Sequence, residues 1–235
     1  MSTLLAASGL ALPGRLSDTD LVMAEPALIC LVGPNGSGKT SLLHALAGIG
    51  APAGSVSIGG ADRDAARPAE RRRLLAYLPA AREAAWPVTV RDLVGLGLPA
   101  DADPGEADAA IGSLQLEPLA NRRVDRLSTG ERSRALIARA LAPKPRLLLL
   151  DEPVANLDPL WQLRLMDLLK ATVADGQAVL IALHDLDLAA RYADRLIVMD
   201  GRRIAADGDP RVIIGSDAIR AVFGIEKGEE GWRPA

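Results

Sequence analysis

Ala27-Leu28-Ile29-Cys30-Leu31-Val32-Gly33-Pro34-Asn35-Gly36-Ser37-Gly38-Lys39-Thr40 runs from an unbroken apolar stretch into a glycine-rich loop, with a helix-length segment following to Gly48. A short apolar run bounded by turn residues predicts a strand buried on both faces. The loop satisfies G-x-x-x-x-G-K-[ST] and lies where that pattern has a mechanism, between a strand and the start of a helix. Glycines let the backbone wrap an anion with its N–H groups, and the helix N-terminus adds a favourable dipole. Lys39 is then placed to reach the β- and γ-phosphates, and the Thr40 hydroxyl to coordinate magnesium. Gly33, Pro34, Asn35, Gly36, Ser37, Gly38, Lys39, Thr40 and Ser41 are the expected contacts of a nucleoside triphosphate with Mg2+. No Asn-Lys-x-Asp stretch is present to read guanine, so the expected nucleotide is ATP.

Further along, Leu147-Leu148-Leu149-Leu150-Asp151-Glu152-Pro153 is a second apolar run, and it ends on two carboxylates. Ligands of open α/β sheets sit outside the carboxyl ends of the strands, which places this pair beside the phosphate loop. Asp151 is the expected magnesium ligand, through water, and Glu152 the general base that polarises an attacking water. Without the loop, the same pair would read as a cap on the next turn. His184 follows a third run, Ala178 to Leu183. A lone histidine at a strand end is usually structural, and its position leaves open whether it touches the γ-phosphate.

With Arg195 to Met199 these runs alternate with helix-length segments such as Gly38 to Gly48 and Leu160 to Ala174, predicting a largely parallel sheet with helices on its faces. From about Trp86 to Pro143 the pattern is helical, broken by the Pro/Gly/Asp-rich stretch Pro99 to Gly105, and is expected to be an insertion in the α/β core. Leu4 to Leu12 is apolar but lacks a positively charged leader, so it is expected to be a strand rather than a signal segment. A strand-turn pair, Arg195 to Asp200 and Arg202 to Asp207, should precede a short helical tail, Asp217 to Val222.

The formal charge of −3 over 235 residues gives no general electrostatic reason to expect nucleic acid as a partner. Arg71, Arg72 and Arg73, the only dense basic run, are expected on a solvated helix face. Cys30, the single cysteine, can form no internal disulfide and fits a buried position in a reducing cytoplasm. No apolar run approaches the roughly 20 residues of a membrane helix.

One further segment, Arg126-Leu127-Ser128-Thr129-Gly130-Glu131-Arg132-Ser133-Arg134, has the form of a helix start: Ser128 at the N-cap, Glu131 at the capping-box position, then the apolar-periodic stretch Ala135 to Leu141. A capped N-terminus carrying Gly130 is also a second anion site, for which a chain with a complete phosphate loop has no evident use on its own nucleotide. Together, Gly33 to Thr40, Leu127 to Glu131, Asp151-Glu152-Pro153, Ala155 to Asp158 and His184, in this order and spacing, resemble the nucleotide-binding subunit of an ATP-binding cassette transporter.

That resemblance implies a P-loop NTPase core with an N-terminal β subdomain and an inserted helical subdomain at about 86–143, all within one ATPase domain over 1–235. It also implies two copies packed head to tail, so that Ser128, Gly130 and Glu131 touch the γ-phosphate of ATP held by the partner, Asp158 bridges the two sites, and His184 senses the γ-phosphate. Tyr77-Leu78-Pro79, Val88 to Val94 and Ala221-Val222-Phe223-Gly224 are similar to importers of iron chelates, haem and cobalamin. The implied partners are integral membrane permease subunits and a substrate-binding protein, with the chain on the inner face of the cell membrane.

The chain departs from the family pattern in places. Ala80 stands where a magnesium-contacting glutamine is usual, and its side chain can neither coordinate a metal nor accept a hydrogen bond. Thr129 replaces the first glycine of the signature and Glu131 its glutamine, while the aromatic residue that usually stacks on adenine is missing and Arg15 is the nearest substitute. Two alternatives follow: a cassette with weak hydrolysis, and a soluble cassette ATPase acting on macromolecules. Against the latter stands a chain with one phosphate loop and one signature.

Overall fold

The chain opens with β1 (Leu5–Leu12) and β2 (Leu16–Met23), in a computed structural model that describes residues 3–81, 87–228 and 231–235. β1 buries Leu5 and Ala7, then Leu10 and Leu12, because a register shift between Ala7 and Leu10 re-phases the alternation. Next come β3 (Leu28–Val32), α1 (Lys39–Ala47), β4 (Ala53–Ile58), β5 (Ala61–Asp62), α2 (Pro68–Leu74), β6 (Leu75–Leu78), α3 (Val90–Gly95), α4 (Pro104–Ser113), α5 (Thr129–Leu141) and β7 (Leu147–Asp151). They are followed by α6 (Pro159–Ala174), β8 (Ala178–Ala182), α7 (Leu186–Tyr192), β9 (Arg195–Asp200), β10 (Arg203–Gly208), α8 (Pro210–Ile214), α9 (Asp217–Phe223), β11 (Ile225–Gly228) and β12 (Gly231–Pro234).

The main sheet has the order β10-β9-β3-β8-β7-β6, parallel throughout except where β10 returns antiparallel along β9. An antiparallel sheet of order β2-β1-β4-β5 lies over one face of it. Every residue of β3, β7 and β8 is buried, as a sheet covered on both faces requires.

Side chains alternate across the main sheet and divide the interior in two. Leu28, Cys30, Val32, Leu148, Leu150, Val179 and Ile181 face the helices α3 to α7. Ile29, Leu31, Leu147, Leu149, Leu180 and Met199 face α1 and the antiparallel sheet. Burial of Cys30 pushes its thiol up to about 12, so it is an inert core group.

Register sets the level of the strand ends. Ala182 of β8 pairs with Leu31 of β3 on one side and with Asp151 of β7 on the other. Residues just beyond these three strands therefore emerge side by side at one edge.

The structure differs from the sequence expectations at several points. The break expected over Pro99 to Gly105 ends sooner, because Pro104 occupies the first helical position and Asp103 caps the helix, its carboxylate accepting from Gly105 N at 2.7 Å. Trp86, the expected start of the helical segment, lies outside the described residues. The helical tail at Asp217 to Val222 is α9, but the chain continues into the β11–β12 hairpin. Arg71 to Arg73 do lie on a solvent-facing helix, α2, where Arg72 donates to Leu98 O at 2.5 Å and Arg71 and Arg73 pair with Asp64 and Glu106.

Candidate functional site

Gly33 ends β3 with its Cα pressed against the neighbouring strand: a Cβ there would overlap the Met199 carbonyl oxygen and stand 2.6 Å from Ser37 Oγ. Only glycine allows the loop to leave the sheet at this point. Gly38, at φ 107°, then turns the chain into α1, and its position also lies against the Cα of Arg202. The loop is tied at its centre, since Arg202 N donates to Ser37 O at 2.9 Å and Ser17 N donates to Arg202 O at 2.9 Å.

Lys39 is buried and folds back over the loop, its Nζ donating to Gly33 O at 2.7 Å and to Pro34 O at 3.3 Å. Burial holds its ammonium below the usual lysine range, and the nearby carboxylates of Glu152 and Asp151 oppose that shift.

Beside it, the Thr40 hydroxyl donates to Asp151 Oδ2 at 2.8 Å. The other oxygen, Asp151 Oδ1, is buried and makes no hydrogen bond of ordinary geometry; the equally buried Tyr77 hydroxyl, which also makes none, lies close enough to feel the Asp151 carboxylate. Burial is the main cause that raises the Asp151 carboxyl above its ordinary value, and the adjacent Glu152 adds to it. A buried carboxylate with one unpaired oxygen and a hydroxyl on the other fits a small divalent cation, which favours hard oxygen ligands. Among the described residues no group of three His, Cys, Asp or Glu forms a metal site by itself. Such an ion would draw its remaining ligands from water and the phosphates.

Glu152, one residue past β7, sits in the left-handed region at φ 51°. For a residue with a side chain that conformation costs on the order of 1 kcal/mol, and it persists because Glu152 N donates to Ala182 O at 3.2 Å. The kink turns the carboxylate toward the end of β8, where Glu152 Oε1 pairs with His184 Nε2. Half of the His184 side chain remains exposed.

A cleft of about 300 Å³ covers this edge, lined by Gly14, Arg15, Asn35 to Ser41, Glu152 and Arg202. Ser128, Gly130, Glu131 and Asp158 do not line it. They belong to another surface, where Ser128 caps α5: its Oγ accepts from Glu131 N at 3.3 Å and its own N–H donates to Glu131 Oε2 at 2.8 Å. Asp158 caps α6 by accepting from Trp161 N at 2.9 Å. The two caps are neighbours, since a Cβ on Gly130 would stand 3.4 Å from Asn156 O.

A family model described as ABC transporter matches residues 16–155. The chain belongs to the ABC transporter family. It is 39% identical over 216 residues to the hemin import ATP-binding protein HmuV of Nocardia farcinica, covering 88% of this chain and 75% of that protein. It is also 39% identical to the cobalamin import ATP-binding protein BtuD of Halobacterium salinarum, over 88% of this chain and 54% of that protein, so it spans about half the length of this relative. A solved dimeric bacterial ABC transporter cassette superposes with a TM-score of 0.78 at 25% identity, over 88% of this chain and 99% of that one. The chain is an ATP-binding cassette with the α/β fold of a P-loop NTPase, and it is an ATPase.

Within the cassette, Arg202 was not foreseen as a lining residue. Its signal is Asp200-Gly201-Arg202 between two strands, a hairpin turn in which both Gly201 (φ 53°) and Arg202 (φ 68°) adopt positive φ. Arg15 lines the cleft as well, but its guanidinium meets His44 Nδ1 of α1 at 3.3 Å. Burial is the largest cause that lowers the His44 pKa, and the Arg15 charge adds to it. No aromatic side chain lines the cleft among the described residues.

Proposed function

We propose that the cassette is the ATP-hydrolysing subunit of an importer for an iron chelate, haem or a cobalamin-type compound. Support comes from the relatives named for hemin and cobalamin import, each 39% identical. Its partners are a second copy of itself, integral membrane permease subunits and a substrate-binding protein, and it works at the cytoplasmic face of the cell membrane. No described helix is long and apolar enough to cross a membrane. We assign the permease to the cleft of about 390 Å³ among β6, α3 and α5, where Leu96 is 50% exposed. Residues 1–235 act as one ATPase domain in which about 86–143 form the helical, signature-bearing subdomain.

The observation that carries the chemistry is the convergence of Thr40–Asp151 and Glu152–His184 on one phosphate loop. The backbone N–H groups of Asn35 to Ser41 cradle the phosphates, and Lys39 releases the Gly33 carbonyl to reach the β- and γ-phosphates. Thr40 and Asp151 would hold Mg2+, which would supply neutralisation of charge on the phosphate oxygens. Glu152 accepts a proton from the attacking water, and His184, already in contact with Glu152, reports on the γ-phosphate. Ser128, Gly130 and Glu131 of the second copy complete the site, and Asp158 links the two sites.

Glu152→Gln tests this assignment. Steady-state ATP hydrolysis should fall by about 10²- to 10⁴-fold while ATP binding is retained. Turnover at the parent rate would remove Glu152 from the role of general base.

A further inference from the structure

Trp161, in the first turn of α6, has two guanidinium groups packed over its ring. Arg134 of α5 stands 4.0 Å from the ring centroid and Arg164 of α6 stands 5.1 Å from it. Neither arginine is free to wander. Arg134 Nη1 donates to Leu114 O at 2.7 Å and to Gln115 O at 3.3 Å, and Arg164 Nη1 donates to Gln115 Oε1 at 3.2 Å. Trp161 is fixed at its backbone too, because its N–H is the donor that Asp158 caps.

The stack therefore joins α5 to α6 close to their N-terminal ends. Arg134 is six residues along the helix that Ser128 caps, and Trp161 is three residues past Asp158. Where the two caps meet, Gly130 packs against the Asn156 carbonyl, and the Asp158 carboxylate acts on the Arg134 guanidinium across the same junction. A ring with cations over it is held by a directional electrostatic attraction that an aliphatic contact of the same bulk does not supply.

We infer that the Arg134–Trp161–Arg164 stack is a positioning device that presents the Ser128 end of α5 and the Asp158 end of α6 to the partner copy as one rigid unit. Trp161 does not line the phosphate-loop cleft; it acts through Ser128, Gly130 and Asp158. The inference rests on the proposal that two copies share each ATP site.

The test uses the full chain in a Glu152→Gln background, so that ATP is held rather than turned over. Two quantities are measured: binding of trinitrophenyl-ATP at protein concentrations where the chain is monomeric, and the protein concentration at which ATP drives dimer formation by light scattering. Trp161→Ala should leave monomer binding within about twofold and raise the dimerisation midpoint about 5- to 10-fold. Trp161→Phe, which keeps a ring against the cations, should stay within about twofold to threefold of the parent, and Trp161→Leu, which keeps only bulk, should resemble Ala. A Leu variant that dimerises like the parent overturns the stack as the cause. So does an Ala variant whose monomer binding falls in the same ratio as its dimerisation, since that is general structural damage. If the parent forms no ATP-dependent dimer, the shared-site proposal fails and the stack's role with it; if the parent dimerises and Trp161→Ala does so at the same midpoint, only the stack's role fails.

Discussion

Asp151→Asn should make the nucleotide-free cassette more stable and the loaded one inactive. The carboxylate is 1% exposed, one oxygen is satisfied by the Thr40 hydroxyl, and the other makes no hydrogen bond of ordinary geometry. An unsatisfied buried polar group costs about 1–3 kcal/mol, and more when charged. Burial raises the carboxyl pKa and the Glu152 like charge adds to it, and together they outweigh the Thr40 hydrogen bond and the Lys39 charge that draw it down. Asparagine keeps the shape and an oxygen for Thr40 while removing the charge. We therefore expect a gain of about 1.5 kcal/mol, which for a chain of this size raises Tm by about 3–6 °C in differential scanning fluorimetry without nucleotide. The sign follows from linkage: a carboxyl whose folded pKa is raised binds its proton more readily when folded. Its contribution is most favourable at low pH and is lost as pH rises from the ordinary carboxylate value through the raised one, so Asp151→Asn should gain most above that window and least below it. With Mg2+ and ATP the order should reverse, because the substitution removes a cation ligand, and phosphate release should fall by at least about 100-fold. A variant that melts below the parent without nucleotide at neutral pH would refute the reasoning, since the carboxylate would then be paired rather than waiting for a cation.

Gly33→Ala forces a methyl into the Met199 carbonyl of β9, where backbone on both sides prevents relief, so Tm should fall by several degrees and ATP binding at least tenfold in equilibrium titration; Gly95→Ala, whose methyl meets open space, should leave both unchanged. Cys30 is fully buried with its thiol pushed up to about 12, so at pH 8 the native protein should react with a disulfide reagent at least about a thousandfold more slowly than the denatured chain; comparable rates would mean that β3 opens readily.

Much of the site is legible because its chemistry is local. Gly33 to Thr40 is contiguous, and Asp151-Glu152 is set by a strand that consists of leucines up to its last residue. The strand order is not local: nothing in the separate apolar runs says that β8 lies between β3 and β7, and that pairing is what brings His184 against Glu152. For the same reason the sequence position of His184 left its role open. The positive φ of Glu152 is invisible to propensity, because it arises from the bond to Ala182 and the sharp exit from the sheet rather than from a glycine. Weakly patterned pieces escaped as well. β11 and β12 are half exposed, so hydrophobic periodicity has little to report there. The hairpin is held by Lys227 and Trp232 on Asp187 instead.

The placement of residues also separates two kinds of failure. Lys39, Thr40 and Glu152 belong to one cleft at the edge of the main sheet, where Asp151 is fixed by strand register and by its bond to Thr40. Ser128, Gly130, Glu131 and Asp158 lie off that cleft, on the N-termini of α5 and α6. A substitution in the first group alters how one chain holds its own nucleotide, and its effect should not depend on protein concentration. One in the second group leaves that cleft intact and, on the proposed shared site, weakens only the association that completes it. Its effect should therefore diminish as protein concentration rises past the dimerisation midpoint, because mass action restores the pair. Thr129, which places a larger side chain than glycine at the first turn of α5, belongs to this second group, so any loss it causes should be recoverable by concentration, whereas a loss at Asp151 should not.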